Sequence, residues 1–169
     1  LELYDDSGST TVIGHRVQSP SDRLRLRRRD HRAQEDAINL TWTGAGYAAT
    51  AQVQGSNVDL RRAINGDLAL TLVLAVAELS PDATLSLGCD QPCGRALPLG
   101  SLLADAADGW TTVRVPLKCF ALSADEAADV TSPLQLRSSE SLSLGLHQVS
   151  LGPVEGALEC PPVSVTSGR

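Results

Sequence analysis

The amino-acid sequence predicts an all-β fold, an antiparallel β-sandwich of the jelly-roll kind. Short segments that alternate apolar with polar side chains run along most of the chain. Turn signals rich in Gly, Pro, Asn and Asp separate them, and only two brief stretches have helical character. Nine or ten strands fit this pattern. With no internal repeat and no interior linker, residues 1–169 are expected to form one β-sandwich domain, with 161–169 as a frayed tail.

In order, Leu1-Glu2-Leu3-Tyr4 alternates, Asp5-Asp6-Ser7-Gly8-Ser9 is turn chemistry, and Thr10 to Val17 is extended again, giving two strands and a loop. From Arg23 to Arg32 the segment is strongly basic. Leu24 and Leu26 alternate against Arg25 and Arg27, which reads as a strand with one solvated face or as a basic surface that docks an acidic neighbour. Asp36 to Thr43 is a strand with Ile38, Leu40 and Trp42 on one face. Gly44-Ala45-Gly46 is read as a turn and Tyr47 to Gln54 as the hairpin partner. Val58 to Ile64 is read as irregular, and Asn65-Gly66-Asp67 is a turn leading into Leu68–Leu79, a strand expected to be central and buried on both faces.

Thr84 to Leu87 alternates into Cys89. Leu97 to Ala107 is read as a loop with one helical turn capped by Ser101. Around Gly109 to Phe120 the pattern is a strand with Thr111, Val113, Val115 and Leu117 inward and Thr112, Arg114 and Lys118 outward. Pro116 lacks a ladder donor and so belongs at an edge, a strand end or a bulge. Ala121 to Val130 is a short helix capped by Ser123. Leu134 to Arg137 and Leu142 to Leu151 close the fold, with Leu142, Leu144 and Leu146 on one face.

Composition narrows the function classes. The chain is 42% hydrophobic but only 3% aromatic, so its core is built from Leu, Val and Ala. A formal charge of -6 opposes binding to nucleic acid or an anionic membrane, both of which select basic surfaces. The longest apolar run, Leu68–Leu79, falls short of the roughly 20 residues that span a bilayer. No methionine occurs and no signal peptide is recognisable, so the chain reads as a domain excised from a longer, exported polypeptide whose signal lies upstream.

Four cysteines, Cys89, Cys93, Cys119 and Cys160, point to disulfides rather than zinc, because histidine partners are lacking. Three residues separate Cys89 from Cys93, and Pro92 with Gly94 tightens the turn between and after them. The chain-entropy model credits that small ring with about 2 kcal/mol and a Cys119–Cys160 loop with about 4 kcal/mol. Four cysteines allow three pairings, and buried free thiols at Cys119 and Cys160 are the alternative.

The order of several motifs resembles one module. Gln34-Glu35-Asp36-Ala37 leads to Thr41-Trp42-Thr43-Gly44. The Cys89–Cys93 loop follows, then Trp110 through Val115-Pro116-Leu117-Lys118-Cys119-Phe120, and then Pro133-Leu134 with Leu142–Leu151. In this the chain resembles the C-terminal galactose-binding-like domain of bacterial exo-β-glucanases of glycoside hydrolase family 3. The likeness runs from about Arg32 to Leu151. It implies an accessory sandwich on a periplasmic or extracellular glucan hydrolase, packed on catalytic domains that hold the nucleophile and the acid. An independent carbohydrate-binding module is the alternative.

Candidate chemistry is sparse. Glu35 and Asp36 are adjacent on an extended strand, so their carboxyls diverge and do not flank one glycosidic bond. His15, His31 and His147 form no metal or triad motif. A sugar ring needs an exposed aromatic. Trp42 and Tyr47 share faces with apolar neighbours, which favours the core for both. Trp110 lies opposite the Val113 and Val115 face and is the better candidate for exposure, so Trp110 and then Tyr47 are the expected carbohydrate contacts. No cofactor is expected beyond a structural calcium, for which Glu2, Asp5, Asp6, Glu35, Asp36 and Glu155 are the hard oxygen donors.

Overall fold

The computed structural model describes residues 1–5, 7–11, 16–34, 36–44, 46–89, 93–104 and 109–161. Within these the chain forms β1 (Glu2–Asp5), β2 (Gly8–Thr11), β3 (Arg16–Gln18), β4 (Leu24–Arg29), β5 (Ala37–Thr43), β6 (Ala49–Val53), α1 (Arg61–Asn65), β7 (Leu68–Glu78), β8 (Thr84–Gly88), β9 (Leu97–Pro98), α2 (Leu99–Leu102), β10 (Trp110–Pro116), a 3-10 turn (Leu117–Phe120), α3 (Ala124–Ala128), β11 (Ser132–Ser138) and β12 (Ser141–Pro153). Two antiparallel six-stranded sheets result. The first has the order β2-β1-β6-β11-β8-β9 and the second β10-β7-β12-β5-β4-β3.

One aliphatic cluster fills the space between the sheets. Leu3, Ala51, Leu85, Leu134 and Leu136 enter it from the first sheet and Leu24, Leu26, Leu40, Leu72, Val115 and Leu144 from the second, all essentially buried. Strand parity puts these side chains inward and their neighbours outward. Trp42, 2% exposed, donates its indole N–H to the Ala49 carbonyl at 2.8 Å, which ties β5 to the opposite sheet. Leu68–Glu78 runs between β10 and β12, with Leu70, Leu72 and Leu74 inward and Ala69 and Ala75 buried on the outer face. Pro116 ends β10, an edge strand, where no ladder donor is required.

Several local readings are corrected. Tyr47 to Gln54 is not the hairpin partner of the Asp36–Thr43 strand. β5 pairs with β12 and β4, and β6 pairs with β1 and β11 in the other sheet. Gly44, at φ +71°, lies so close to Ser141 that a Cβ would sit 2.8 Å from its backbone nitrogen, and the chain crosses between sheets there. Alternation fixes which side chains face inward but does not name the neighbouring strand. Val58 to Ile64 is more ordered than irregular. Val58 bridges Val130, and α1 follows, with the Asp59 carboxylate accepting from the Arg61 amide. Ser101 is not a cap. α2 begins after Pro98, and its Leu99 amide donates to the Ala83 carbonyl, so that terminus is satisfied by backbone from another loop. Ser123 does cap α3, in a reciprocal capping box with Glu126.

Both disulfides form, Cys89–Cys93 and Cys119–Cys160. The second staples the returning segment to the 3-10 turn after β10, and the Leu158 amide donates to the Arg114 carbonyl within β10 itself. Two carboxylates rivet the ends of the sandwich. Asp5, 1% exposed, accepts from Ser7 and from both the amide and the hydroxyl of Ser21. Asp82 accepts from the Ser80, Ser138 and Ser139 hydroxyls and the Ser139 amide. The expected tail begins at the last described residue, and 162–169 lie outside the described residues.

Candidate functional site

A groove of about 610 Å³ lies on the outer face of the first sheet. Its floor follows from strand parity. With Ala49, Ala51, Leu134, Leu136, Leu85 and Leu87 turned inward, the alternate residues of β6, β11 and β8 are turned out. Register then aligns them in rows across the strands. Glu2 stands opposite Gln52, Gln52 opposite Gln135 and Gln135 opposite Ser86. The next row runs Thr50, Arg137, Thr84.

The first row is a continuous hydrogen-bonded ladder. The Ser86 hydroxyl donates to the Gln135 carbonyl oxygen at 3.3 Å, the Gln135 amide donates to Gln52 at 2.9 Å, and the Gln52 amide donates to Glu2 at 2.8 Å. A primary amide has two donors and two acceptor lone pairs, so each glutamine uses about half its capacity and keeps the rest facing the groove. Gly88 makes room for the ladder, because a Cβ at that position would lie 2.3 Å from Gln135 Nε2.

Tyr47 stands on the loop entering β6, lines the same groove and is 60% exposed. The expectation that it belongs to the core is overturned. Alternation with Ala49 and Ala51 stops at the strand start, and the chain is still crossing between sheets at residue 47. The Arg23 guanidinium lies 4.1 Å from the centre of the Tyr47 ring.

Trp110 is on the other sheet, in a half-buried cluster. Register places Trp110 opposite Ala75 and Ala75 opposite Gly145, small residues over which the indole lies. A Cβ at Gly145 would come within 3.0 Å of the indole. The Arg29 guanidinium is 5.0 Å from the Trp110 ring centre, and the rings of His31 and His147 are 4.4 and 6.4 Å away. The two expected carbohydrate contacts therefore occupy different sheets. His31 and His147, with ring centres 4.5 Å apart, come together here although no sequence motif joined them.

One signal does account for His147. The apolar parity of the last long strand changes from Leu142, Leu144, Leu146 to Val149, Leu151, and the register with β7 shifts between Leu146 and Gln148. This is a bulge, and it re-aims one residue out of the ladder. His147 Nδ1 then meets the Asp36 carbonyl at 2.8 Å. Asp36 itself accepts from the backbone amides of His31, Arg32 and Ala33. Partial burial pushes its pKa up, and those three hydrogen bonds outweigh that and bring it down to about 2. Neither ring nitrogen of His31 has a hydrogen-bond partner. Burial first, and then the nearby His147, push the His31 pKa down.

The described carboxylates with resolved shifts all move downward. Burial raises the Asp5 pKa, and hydrogen bonds from Ser19, Ser21 and Ser7 overcome it to leave about 2. Asp59 is brought to about 2, chiefly by its hydrogen bonds from Arg61. Glu126 is lowered by the amides it caps, and Asp82 is lowered by its serines against the opposing effect of burial. Of the residues considered for calcium, Asp6 and Glu35 lie outside the described residues, as does His15. Glu2, Asp5 and Asp36 are engaged as given above, and Glu155 is exposed. Among the described residues no three His, Cys, Asp or Glu side chains are grouped to hold a metal.

A family model described as galactose-binding domain-like, Exop_C, matches residues 1–151. The chain belongs to that family. Its fold is shared with the exo-1,3/1,4-β-glucanase ExoP of a Pseudoalteromonas species at a TM-score of 0.71 and 22% identity, over 90% of this chain and 18% of that one. The extra C-terminal domain of ExoP, solved separately, gives 0.68 and 20% identity, over 99% of this chain and 91% of that one. The family 30 carbohydrate-binding module of a Clostridium thermocellum cellulosomal cellulase gives 0.57 at 11% identity, over 89% and 91%. No curated protein matches the chain. The galactose-binding-like sandwich expected from the sequence is the fold observed, and the chain spans less than a fifth of the whole glucanase it resembles.

Proposed function

We propose that this chain is the non-catalytic accessory domain of an exported β-glucan hydrolase. It packs on the catalytic domains and shapes access of the polysaccharide to them. The observation that carries the reading is the family match, a galactose-binding-like sandwich over residues 1–151 whose fold follows the separately solved extra C-terminal domain of ExoP over 99% of this chain. Family membership supports the glucanase context. The two disulfides fit an oxidising compartment, periplasmic or extracellular.

The test has two arms. Reading the gene upstream of Leu1 is expected to reveal the catalytic domains of a glycoside hydrolase, and the purified chain is expected to leave (1,3/1,4)-β-glucan and aryl glucosides uncleaved. An upstream frame without a hydrolase, or cleavage by the chain alone, overturns the proposal.

A further inference from the structure

The groove on the first sheet is a built polar surface with no role assigned to it by family membership. We infer that it binds a neutral β-glucan chain, with one sugar ring stacked on Tyr47 and successive hydroxyls bonded by the Gln52–Gln135 ladder and by Arg137. The inference takes its ligand class from the accessory-domain reading, and the geometry supplies the rest.

Three features select this ligand. First, the ladder is fixed before any ligand arrives. Gln52 and Gln135 hold each other through their own amides, Ser86 and Glu2 close the ends, and Gly88 clears the space Gln135 occupies. A sugar hydroxyl both donates and accepts, and an amide with one donor and one lone pair unused answers both needs. Preorganisation lowers the ordering cost that otherwise weakens sugar binding. Second, Tyr47 has a cation on its ring at 4.1 Å and remains 60% exposed, so Arg23 holds the ring while an open face meets the groove. Sugar rings stack on such faces through their axial C–H groups. Third, the rows run across β1, β6, β11 and β8. At the usual spacing between strands, about 4.8 Å, four strands span about 15 Å, the length of a short oligosaccharide.

The apolar members of the described lining are Tyr47 and two small side chains, Ala48 and Ala96, with no Leu, Ile, Val or Phe to seat a peptide anchor or a lipid chain. Arg137 is exposed and, among the described residues, forms no ion pair, so it is free to donate to ring and linkage oxygens. A polyanion meets Arg137, Arg23 on the Tyr47 ring and the carboxylate Asp5 here, on a chain of net charge -6, which disfavours it against an uncharged polymer.

The test is isothermal titration of the 169-residue chain with soluble (1,3/1,4)-β-glucan and with cello- and laminari-oligosaccharides. Binding at millimolar or tighter dissociation constants is expected. Tyr47→Ala and Gln135→Ala should each weaken it about tenfold or more, while their melting curves stay within a few degrees of the parent. Trp110→Phe, on the opposite sheet, should leave affinity unchanged. Absence of binding to every glucan tested overturns the groove, as does affinity that survives both groove variants or falls only in Trp110→Phe. Tighter binding of polygalacturonate than of the neutral glucans overturns the ligand class. These results are separable from the accessory-domain test. A chain that binds at Tyr47 but lies in a frame without a hydrolase keeps the groove and loses the enzyme, and the opposite pair of outcomes does the reverse.

Discussion

On the outer face of the first sheet, Tyr47 is 60% exposed and two glutamines keep hydrogen-bonding capacity for solvent. On the outer face of the second sheet, Trp110 lies over Ala75 and Gly145 and is closed in by Arg29 and His31. Strand parity assigns Trp110 to an outward face, and the assignment is correct. What parity omits is the segment of residues 30–34 that folds back over that face, anchored by the Asp36 carboxylate on three of its backbone amides. Availability of an aromatic ring is thus decided by non-local cover. The first sheet has polar side chains at the equivalent positions, and the groove over them stays open.

The comparison breaks most readily where the second face is stapled. Replacing Cys119 and Cys160 together by Ala releases a link between residues 41 positions apart and is expected to cost about 4 kcal/mol. The Cys89→Ala, Cys93→Ala pair, 4 positions apart, should cost about 2 kcal/mol by the same entropy argument. Urea midpoints on the two double variants measure the ranking, and equal losses would contradict it. Between the two in size is Trp110→Ala, which removes a half-buried indole and is expected to cost about 2 to 3 kcal/mol. Tyr47→Ala should change stability by less than about 0.5 kcal/mol. A destabilisation by Tyr47→Ala as large as that of Trp110→Ala would erase the distinction between an open and a closed face.

The fold class was legible because it depends on local facts. Period-two patterns at Leu24–Arg29, Ala37–Thr43 and Leu142–Leu146 follow from burial on one face, and the structure repeats them. Partners were not legible. The Tyr47–Gln54 alternation suits a hairpin strand and a strand of the opposing sheet equally, and only packing against β1 and β11 decides. The groove was hidden for the same reason. Glu2, Gln52, Gln135 and Ser86 become neighbours through registers that join distant parts of the chain, and no short window contains two of them. The bulge at His147 is the exception, since the parity change between Leu146 and Val149 can be read directly.

A pH-dependent effect comes from the end of the first sheet. Asp5 has its pKa lowered from 3.8 to about 2 in the folded chain. Its contribution is therefore present above about pH 4 and lost as pH falls through 2. Integrated over that shift it amounts to about 2 kcal/mol. Asn at position 5 keeps the shape and one acceptor but not the charge. Asp5→Asn should lower stability at neutral pH by roughly that amount and converge with the parent near pH 2. A difference that persists undiminished at the acid end would mean that packing, not the ionised carboxylate, accounts for the loss.

The smallest expected effect lies in the closed cluster, where His31 has two ring nitrogens without partners. Its pKa is lowered from 6.5 by burial and by His147, with Arg32 and Arg29 adding repulsion and Asp36 opposing them. The folded chain then binds this proton less readily than the unfolded chain, so the contribution is present above about pH 6.5 and declines as pH falls below it. Asp36, at about 2, stays ionised throughout that window and cannot be the source of the slope. His31→Phe keeps a ring beside Trp110 but removes the titration. Melting temperature should fall for the parent between about pH 7 and pH 5 and fall less for this variant. Observing the His31 ring by NMR gives the direct reading: a midpoint at or above 6.5 would show that the cluster opens to solvent, and with it the contrast between the two faces would fail.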